Sequence, residues 1–352
     1  MASKPAPKAK QIKLEKDVSE ADGVEMADID SILKEKTAKG AKTYLVSWMD
    51  GAPASWVKEE DLEGTEALEE WTWKEDAVPE EFDPEHVVKR KCDQLISWLR
   101  GSKRASWLVG AGLSASAGLP TFRGTNGLWT RGAQVTGPED SKKRKKKTKE
   151  PAESRAPKPE PTLAHHTLVS LEKAGFVHYV ASQNYDDLLG RAGFPSAKMS
   201  ELHGNIFIEV CEGCCHSYHR DFEVVLATSQ NHETGRVCDQ VLRNGSVCGQ
   251  PLKDNIVHFD EGLPWRELTM ANAKFLGSDM AIVLGSTLRV EPAASLPFRA
   301  KRRRRVVGTA PPNRCVIVNL QPTPRDTEAD LVIRARCDDV MERVAAALLA
   351  EQ

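Results

Sequence analysis

Ser106-Trp107-Leu108-Val109-Gly110-Ala111-Gly112-Leu113-Ser114-Ala115-Ser116-Ala117-Gly118-Leu119-Pro120-Thr121-Phe122-Arg123 is the stretch that decides the fold. Its short apolar run reads as a buried parallel strand, broken by Gly-Ala-Gly ahead of a small-residue segment that permits a helix. Glycine there lets the backbone turn sharply and lets N–H groups approach a pyrophosphate. Gly118 and Pro120 stop the helix early, and Phe122-Arg123 then offer a stacking ring and a cation beside the anion site. A dehydrogenase fingerprint would continue into a long helix, a second strand and an acidic residue for the ribose. This chain runs instead into glycine-rich and then lysine-rich sequence. The stretch therefore predicts a dinucleotide site that is not built for hydride transfer.

The surroundings fit a soluble globular chain. Of 352 residues, 40% are hydrophobic and 28% charged, with a net charge of −2 that hides strong local segregation. No apolar run approaches the ~18 residues of a membrane helix, and the N-terminus shows no signal-peptide core. Eight cysteines in that context predict a reducing compartment, where thiols hold metals or stay free.

Composition divides the chain. Residues 1–23 read as a disordered basic tail, 24–75 as a small β-rich module, and 76–85 as an acidic, proline-punctuated linker. In the module, Ile29–Leu33, Tyr44–Trp48 and Ser55–Val57 read as strands, with Lys39-Gly40 and Asp50-Gly51 as turns. A short helix through Leu62, Ala67, Leu68 and Trp71 would cross the sheet. The pattern resembles a chromodomain, a fold that reads methyl-lysine in an aromatic cage. Trp48 matches one cage position, whereas Ala27 and Gly51 stand where the other two aromatics would be. The alternative is that Trp48, Trp56 and Trp71 are core.

Residues 86–350 read as one larger domain with two inserts, a low-complexity basic segment at 133–160 and a cysteine-bearing module at 205–262. Helices are predicted over Glu85–Leu99 and Leu163–Lys173. Strands are predicted over Val177–Ser182, Met280–Leu284 and Val316–Leu320, and a last helix, capped by Asp338-Asp339, runs to Leu349. The alternation predicts an α/β fold with a doubly wound parallel sheet.

Chemistry-bearing residues fall just after the strands, where open α/β sheets bind ligands. Gln183-Asn184-Tyr185-Asp186 offers amides and a carboxylate for ribose hydroxyls and a carboxamide. His203, on a tight loop beside Gly204, is a candidate general base. Cys211-x2-Cys214 and Cys238-x9-Cys248 supply four thiolates for a closed structural zinc site, with Cys215, His216 and His219 as rival ligands. Lys142–Lys147 and Lys301–Arg305 are basic runs suited to nuclear import or to salt-dependent contact with DNA phosphates.

Over about Phe82 to Leu349 these motifs resemble the sirtuins, in particular their nuclear class IV branch. The resemblance rests on Gly110 through Phe122-Arg123, Trp129, Gln183-Asn184-x-Asp186, His203-Gly204, the four cysteines, Gly285-Ser286-Thr287-Leu288 and Asn319-Leu320-Gln321-Pro322-Thr323. It implies a Rossmann-like domain and a small zinc-binding domain, with NAD and an acyl-lysine peptide in the cleft between them. Gly110, Ala111, Gly112, Ala115, Phe122, Arg123 and Trp129 would line the cofactor loop. Gln183, Asn184 and Asp186 would hold the nicotinamide ribose and carboxamide. Gly285, Ser286, Thr287, Asn319, Gln321 and Cys337 would serve the phosphates and adenosine, and His203 would be the base. The peptide would lie near Ile256-Val257-His258-Phe259, which reads otherwise as the strand returning from the zinc module.

The implied reaction transfers the acyl group from lysine to the ribose and releases nicotinamide. NAD is then a co-substrate and zinc is structural. A histone or another nuclear protein would be the substrate, and the chain would work in the nucleus. Three residues depart from the family: Thr121 replaces an aspartate, Asp187 a glycine and Leu189 a histidine. Two other functions therefore stay open, mono-ADP-ribosyl transfer and a chromatin adaptor that binds NAD or ADP-ribose without useful turnover.

Overall fold

Five consecutive buried residues, Ala105–Val109, form strand β4 inside a six-stranded parallel sheet. Strands buried on both faces read as near-continuous apolar runs, and here only Ser106 interrupts one, itself buried. The computed structural model describes residues 29–38, 41–48, 53–62, 68, 79–119, 159–225, 231–258, 261–301 and 313–350. The chain divides into two compact units, Met1–Ala77 and Val78–Gln352.

The first unit is an antiparallel sheet of β1 (Ile29–Ala38), β2 (Ala41–Trp48) and β3 (Ser55–Lys58), followed by the short helix α1 (Glu59–Leu62). Ile32, Tyr44, Val46, Trp48, Val57, Leu62 and Leu68 form its core. Trp48 is buried, with its Nε1 donating to Ser55 Oγ at 3.1 Å. Trp56 is not core. It is 48% exposed because Val57 is the inward residue of β3, and the Lys36 ammonium stands 5.8 Å from its ring. The two expected turns, together with Ala27, Ala67 and Trp71, lie outside the described residues.

In the second unit, α2 (Glu85–Gly101) leads into β4. There follow α3 (Leu163–Lys173), β5 (Tyr179–Ser182), α4 (Leu188–Arg191) and β6 (Met199–Glu201). An antiparallel module comes next, with β7 (Ile208–Cys211), β8 (Ser217–His219), β9 (Glu233–Val237) and β10 (Pro251–Asp254). The chain then returns through α5 (Trp265–Gly277), β11 (Met280–Leu284), β12 (Arg314–Val318), β13 (Leu331–Ile333) and α6 (Cys337–Leu348).

The parallel sheet has the order β13-β12-β11-β4-β5-β6, and the doubly wound expectation holds. Its two faces alternate strictly along each strand. Trp107, Val109, Ile282, Leu284, Val316 and Val318 pack against α2, α3 and α6. Leu108, Ala281, Val283, Cys315 and Ile317 pack against Ala271 and Phe275 of α5 and the turns around Leu296 and Phe298. After β4 the chain first adds strands on one side and later on the other, so the order reverses between β4 and β11. A crevice opens at such a switch point, outside the carboxyl ends of the strands.

Two local expectations change. The small-residue segment after β4 forms two 3-10 turns, Ala111–Leu113 and Ala115–Ala117, and Gly118 closes the second at φ +80°. Asp338 does not cap its own helix. It lies in the first turn of α6 and accepts the Ala164 N–H at 2.7 Å, so it caps α3 instead.

Candidate functional site

Every described residue expected at the cofactor site lies at the carboxyl end of a parallel strand. Gly110, Ala111, Gly112 and Ala115 follow β4; Gln183, Asn184 and Asp186 follow β5; His203 follows β6. Gly285, Ser286 and Thr287 follow β11, Asn319 and Gln321 follow β12, and Cys337 opens α6 after β13. Phe122, Arg123 and Trp129 lie outside the described residues, as does Thr121.

The glycines do something other than make room for phosphate. A Cβ on Gly110 would lie 2.7 Å from the Gly285 carbonyl oxygen, and one on Gly112 would lie 2.7 Å from Gly285 Cα. The Gly110 and Gly112 N–H groups donate to the Leu284 and Gly285 carbonyls, each at 2.9 Å. These amides thus join the β4 and β11 loops at the switch point.

The polar side chains form a connected set. Ser286 Oγ donates to Gln183 Oε1 at 2.6 Å, bridging the loops of β11 and β5. Asn184 Nδ2 donates to the Gly110 carbonyl at 3.1 Å and to Ser114 Oγ at 3.2 Å. Ser114 Oγ donates to Asp186 Oδ2 at 2.6 Å, and the Leu188 N–H donates to Asp186 Oδ1 at 3.0 Å. Burial raises the Asp186 pKa, and these two donors oppose the rise. Behind Ser114, at 3.4 Å, stands the buried His165 Nε2. His165 Nδ1 accepts the Thr162 N–H at 3.1 Å, which places the ring proton on Nε2. Burial drives the His165 pKa down to about 4, so the ring is neutral.

His203 Nδ1 lies 2.8 Å from the Gln183 carbonyl oxygen. A carbonyl only accepts, so Nδ1 bears the proton and Nε2 keeps its lone pair. Burial lowers the His203 pKa, with the Gln183 contact opposing it. The loop is fixed by Gly204 at φ +81°, where a Cβ would lie 2.0 Å from the Asn255 carbonyl oxygen. Ile256–His258 is not a strand; the returning strand ends at Asp254. The Val257 N–H donates to the His203 carbonyl at 3.1 Å, which brings this segment alongside the histidine, while Phe259 lies outside the described residues.

A family profile, Sir2, matches residues 110–292. The chain belongs to the Sir2 family. It is 36% identical over 271 residues to the NAD-dependent protein deacetylase SRT1 of Arabidopsis thaliana, covering 77% of this chain and 52% of that one. It is 37% identical over 281 residues to human NAD-dependent protein deacetylase sirtuin-7, covering 76% of this chain and 62% of that one. The chain thus spans about half the length of the first relative and under two thirds of the second. A solved Sir2 structure with a p53 peptide and NAD+ superposes with a TM-score of 0.53 at 30% identity, over 72% of this chain and 96% of that one.

In this Sir2 chain the four expected cysteines converge. The Sγ atoms of Cys211, Cys214, Cys238 and Cys248 all lie within 4.8 Å of one another, with Cys211–Cys248 at 3.6 Å and Cys214–Cys238 at 3.5 Å. Zinc–sulfur bonds of ~2.3 Å in a tetrahedron place sulfurs about 3.8 Å apart, so the cluster fits zinc. The rivals are elsewhere: Cys215 is exposed, His216 packs edge-on against Tyr218, and His219 Nε2 meets Asp187 Oδ2 at 2.9 Å. With four thiolates the coordination is complete, so the zinc would hold the module together and meet no substrate.

Sequence reasoning passed over Ser114, His165, Asn205 and Arg334. Ser114 stood in the opening stretch without a mark of its own. His165 had none, because a capping box is signalled by Glu or Gln three residues after Thr162 and here an imidazole takes that place. Arg334, which donates to the Asn319 carbonyl at 3.1 Å, carried no local signal. Leu189, one of the three departures expected from the resemblance, is a buried member of the main core.

Proposed function

We propose that the chain is an NAD-dependent protein-lysine deacylase that acts on a histone or another nuclear protein. The observation that supports it most is the His203 tautomer: Nδ1–H is held by the Gln183 carbonyl, on the loop that also bears Asn184 and Asp186. NAD would supply the electrophilic anomeric carbon. Gln183, Asn184 and Asp186 would orient the nicotinamide ribose, because their loop is fixed from both sides by Ser286 and Ser114. His203 Nε2 would take a proton from a ribose hydroxyl, and its depressed pKa keeps it unprotonated at neutral pH. Gly285, Ser286, Thr287, Asn319, Gln321 and Cys337 would line the phosphate and adenosine side. Burial pushes the Cys337 thiol up to about 12, so it would serve as a neutral packing surface.

Nuclear action is supported by the two basic runs, of which only Lys301 is described; it pairs with Asp330 at 2.9 Å. The basic runs would also contact DNA phosphates. The three-stranded N-terminal unit would serve as a chromodomain-like targeting module, with Trp48 part of its core and not an open cage wall.

The test is incubation with an acetylated histone peptide and labelled NAD. Peptide-dependent nicotinamide release is expected, and His203→Ala should lower it by roughly 10²–10⁴-fold while NAD binding persists. Label transferred to protein would instead establish ADP-ribosyl transfer. Binding without release would establish an adaptor.

A further inference from the structure

Asp187 has a left-handed backbone conformation that favours glycine, φ 60° and ψ 2°. Such a conformation is uncommon for a residue with a Cβ, although aspartate tolerates it better than most. Its carboxylate is buried and both oxygens are engaged. Oδ1 accepts Asn205 Nδ2 at 2.8 Å, and Oδ2 accepts His219 Nε2 at 2.9 Å. The second amide hydrogen of Asn205 goes to Glu201 Oε1 at 2.7 Å, and the Asn205 N–H goes to Asn255 Oδ1 at 2.9 Å. Space is kept for this arrangement, since a Cβ on Gly190 would lie 2.8 Å from Asp187 Oδ1.

These contacts join three parts. Asp187 is adjacent to Asp186 of the ribose-side loop, Asn205 lies two residues beyond His203, and His219 belongs to β8 of the zinc module. We propose that Asp187 is a positioning residue that fixes the His203 loop and the zinc module against the Gln183–Asp186 loop. Asp186 and Asp187 engage different partners. The first carboxylate turns to Ser114 and the first turn of α4, the second to the base loop and β8. Asp187 thereby ties β8 of the cysteine module to the loop that bears His203. The part of the proposal that concerns turnover rests on the deacylase reading.

Two variants of the full-length, zinc-loaded chain test it. Asp187→Gly removes the carboxylate at a conformation glycine adopts freely, so no backbone strain is introduced. Asp187→Asn keeps an oxygen for Asn205, and the His219 ring can change tautomer to meet the new amide. In Asp187→Gly, kcat for peptide-dependent nicotinamide release should fall by roughly 10-fold while KM for NAD changes less than about 3-fold. Amides 203–207 should exchange faster by a similar factor of roughly 10. Asp187→Asn should recover most of both losses.

Wild-type turnover and wild-type exchange in Asp187→Gly would overturn the proposal. So would an Asp187→Asn variant as impaired as the glycine variant, or accelerated exchange spread evenly over the whole domain. If the wild-type chain released no nicotinamide, the deacylase reading would fail, and exchange at 203–207 would still decide the positioning role.

Discussion

The neutral imidazole at position 165 shows how the site orients its carboxylate without adding charge. With Nδ1 satisfied by the Thr162 N–H, Nε2–H faces Ser114 Oγ, whose own proton is thereby directed to Asp186. The arrangement requires that His165 stay unprotonated, and burial ensures it by lowering the pKa to about 4. Unfolding restores the ordinary value near 6.5, so between those pH values the unfolded chain binds the extra proton. Stability from this group is therefore complete above about pH 6.5 and is lost as the pH falls toward 4. At about 1.4 kcal/mol per pH unit, the window from 6.5 to about 4 amounts to about 3 kcal/mol. His165→Gln preserves the acceptor for Thr162 and the donor for Ser114 but does not titrate. Urea unfolding at pH 7.5 and pH 5 should show a smaller loss for the variant than for the wild type; parallel losses would show that His165 does not titrate on unfolding.

At the scale of elements, the junction of the β4 and β11 loops governs how the crevice is formed. Gly285 has φ +64°, and a Cβ there would lie 2.5 Å from both Gly112 C and Leu113 N, so two constraints act on one residue. Gly118 separates them: its φ is +80°, but nothing lies within 4 Å of the Cβ position. Gly118→Ala should cost only ~1 kcal/mol, the strain of the left-handed conformation. Gly285→Ala must also push two backbone segments apart and should cost more than ~3 kcal/mol. Equal melting shifts for the two variants would mean that the loop contact is soft. The strand ahead of Gly110 was legible because the apolar run Trp107-Leu108-Val109 ends directly on Gly-Ala-Gly, a pattern with few other uses. The use of its glycines was not legible, because Gly285 meets them only once β11 has been laid beside β4. The same reasoning explains Asp338: its position near a helix start was readable, but the helix it caps was not, since α3 and α6 come together only through the sheet.

For the molecule as a whole, spacing disclosed the ligands but not how the module depends on them. Cys211-x2-Cys214 was readable as one half of a metal site, and the wider Cys238-x9-Cys248 pair needed β9 and β10 to bring it into place. The core of the module shows what holds it: the buried residues are Cys211, Cys238 and Leu252, with Cys214, Tyr218 and Cys248 packed against them. So little apolar surface cannot offset the ordering of four strands, whereas a structural zinc supplies an apparent ~10 kcal/mol or more. The parallel sheet has its own apolar cores on both faces and needs no metal. Chelation should therefore unfold the module and leave the sheet intact, and the cysteines themselves report the result. Cys215 is exposed and should alkylate with zinc present, while Cys92, Cys315 and Cys337 are buried in the larger domain. After zinc removal, mass-spectrometric mapping should find Cys211, Cys214, Cys238 and Cys248 newly alkylated and Cys92, Cys315 and Cys337 still protected. If all seven became reactive together, the metal would be holding up the entire domain, and the separation of the two cores would be wrong.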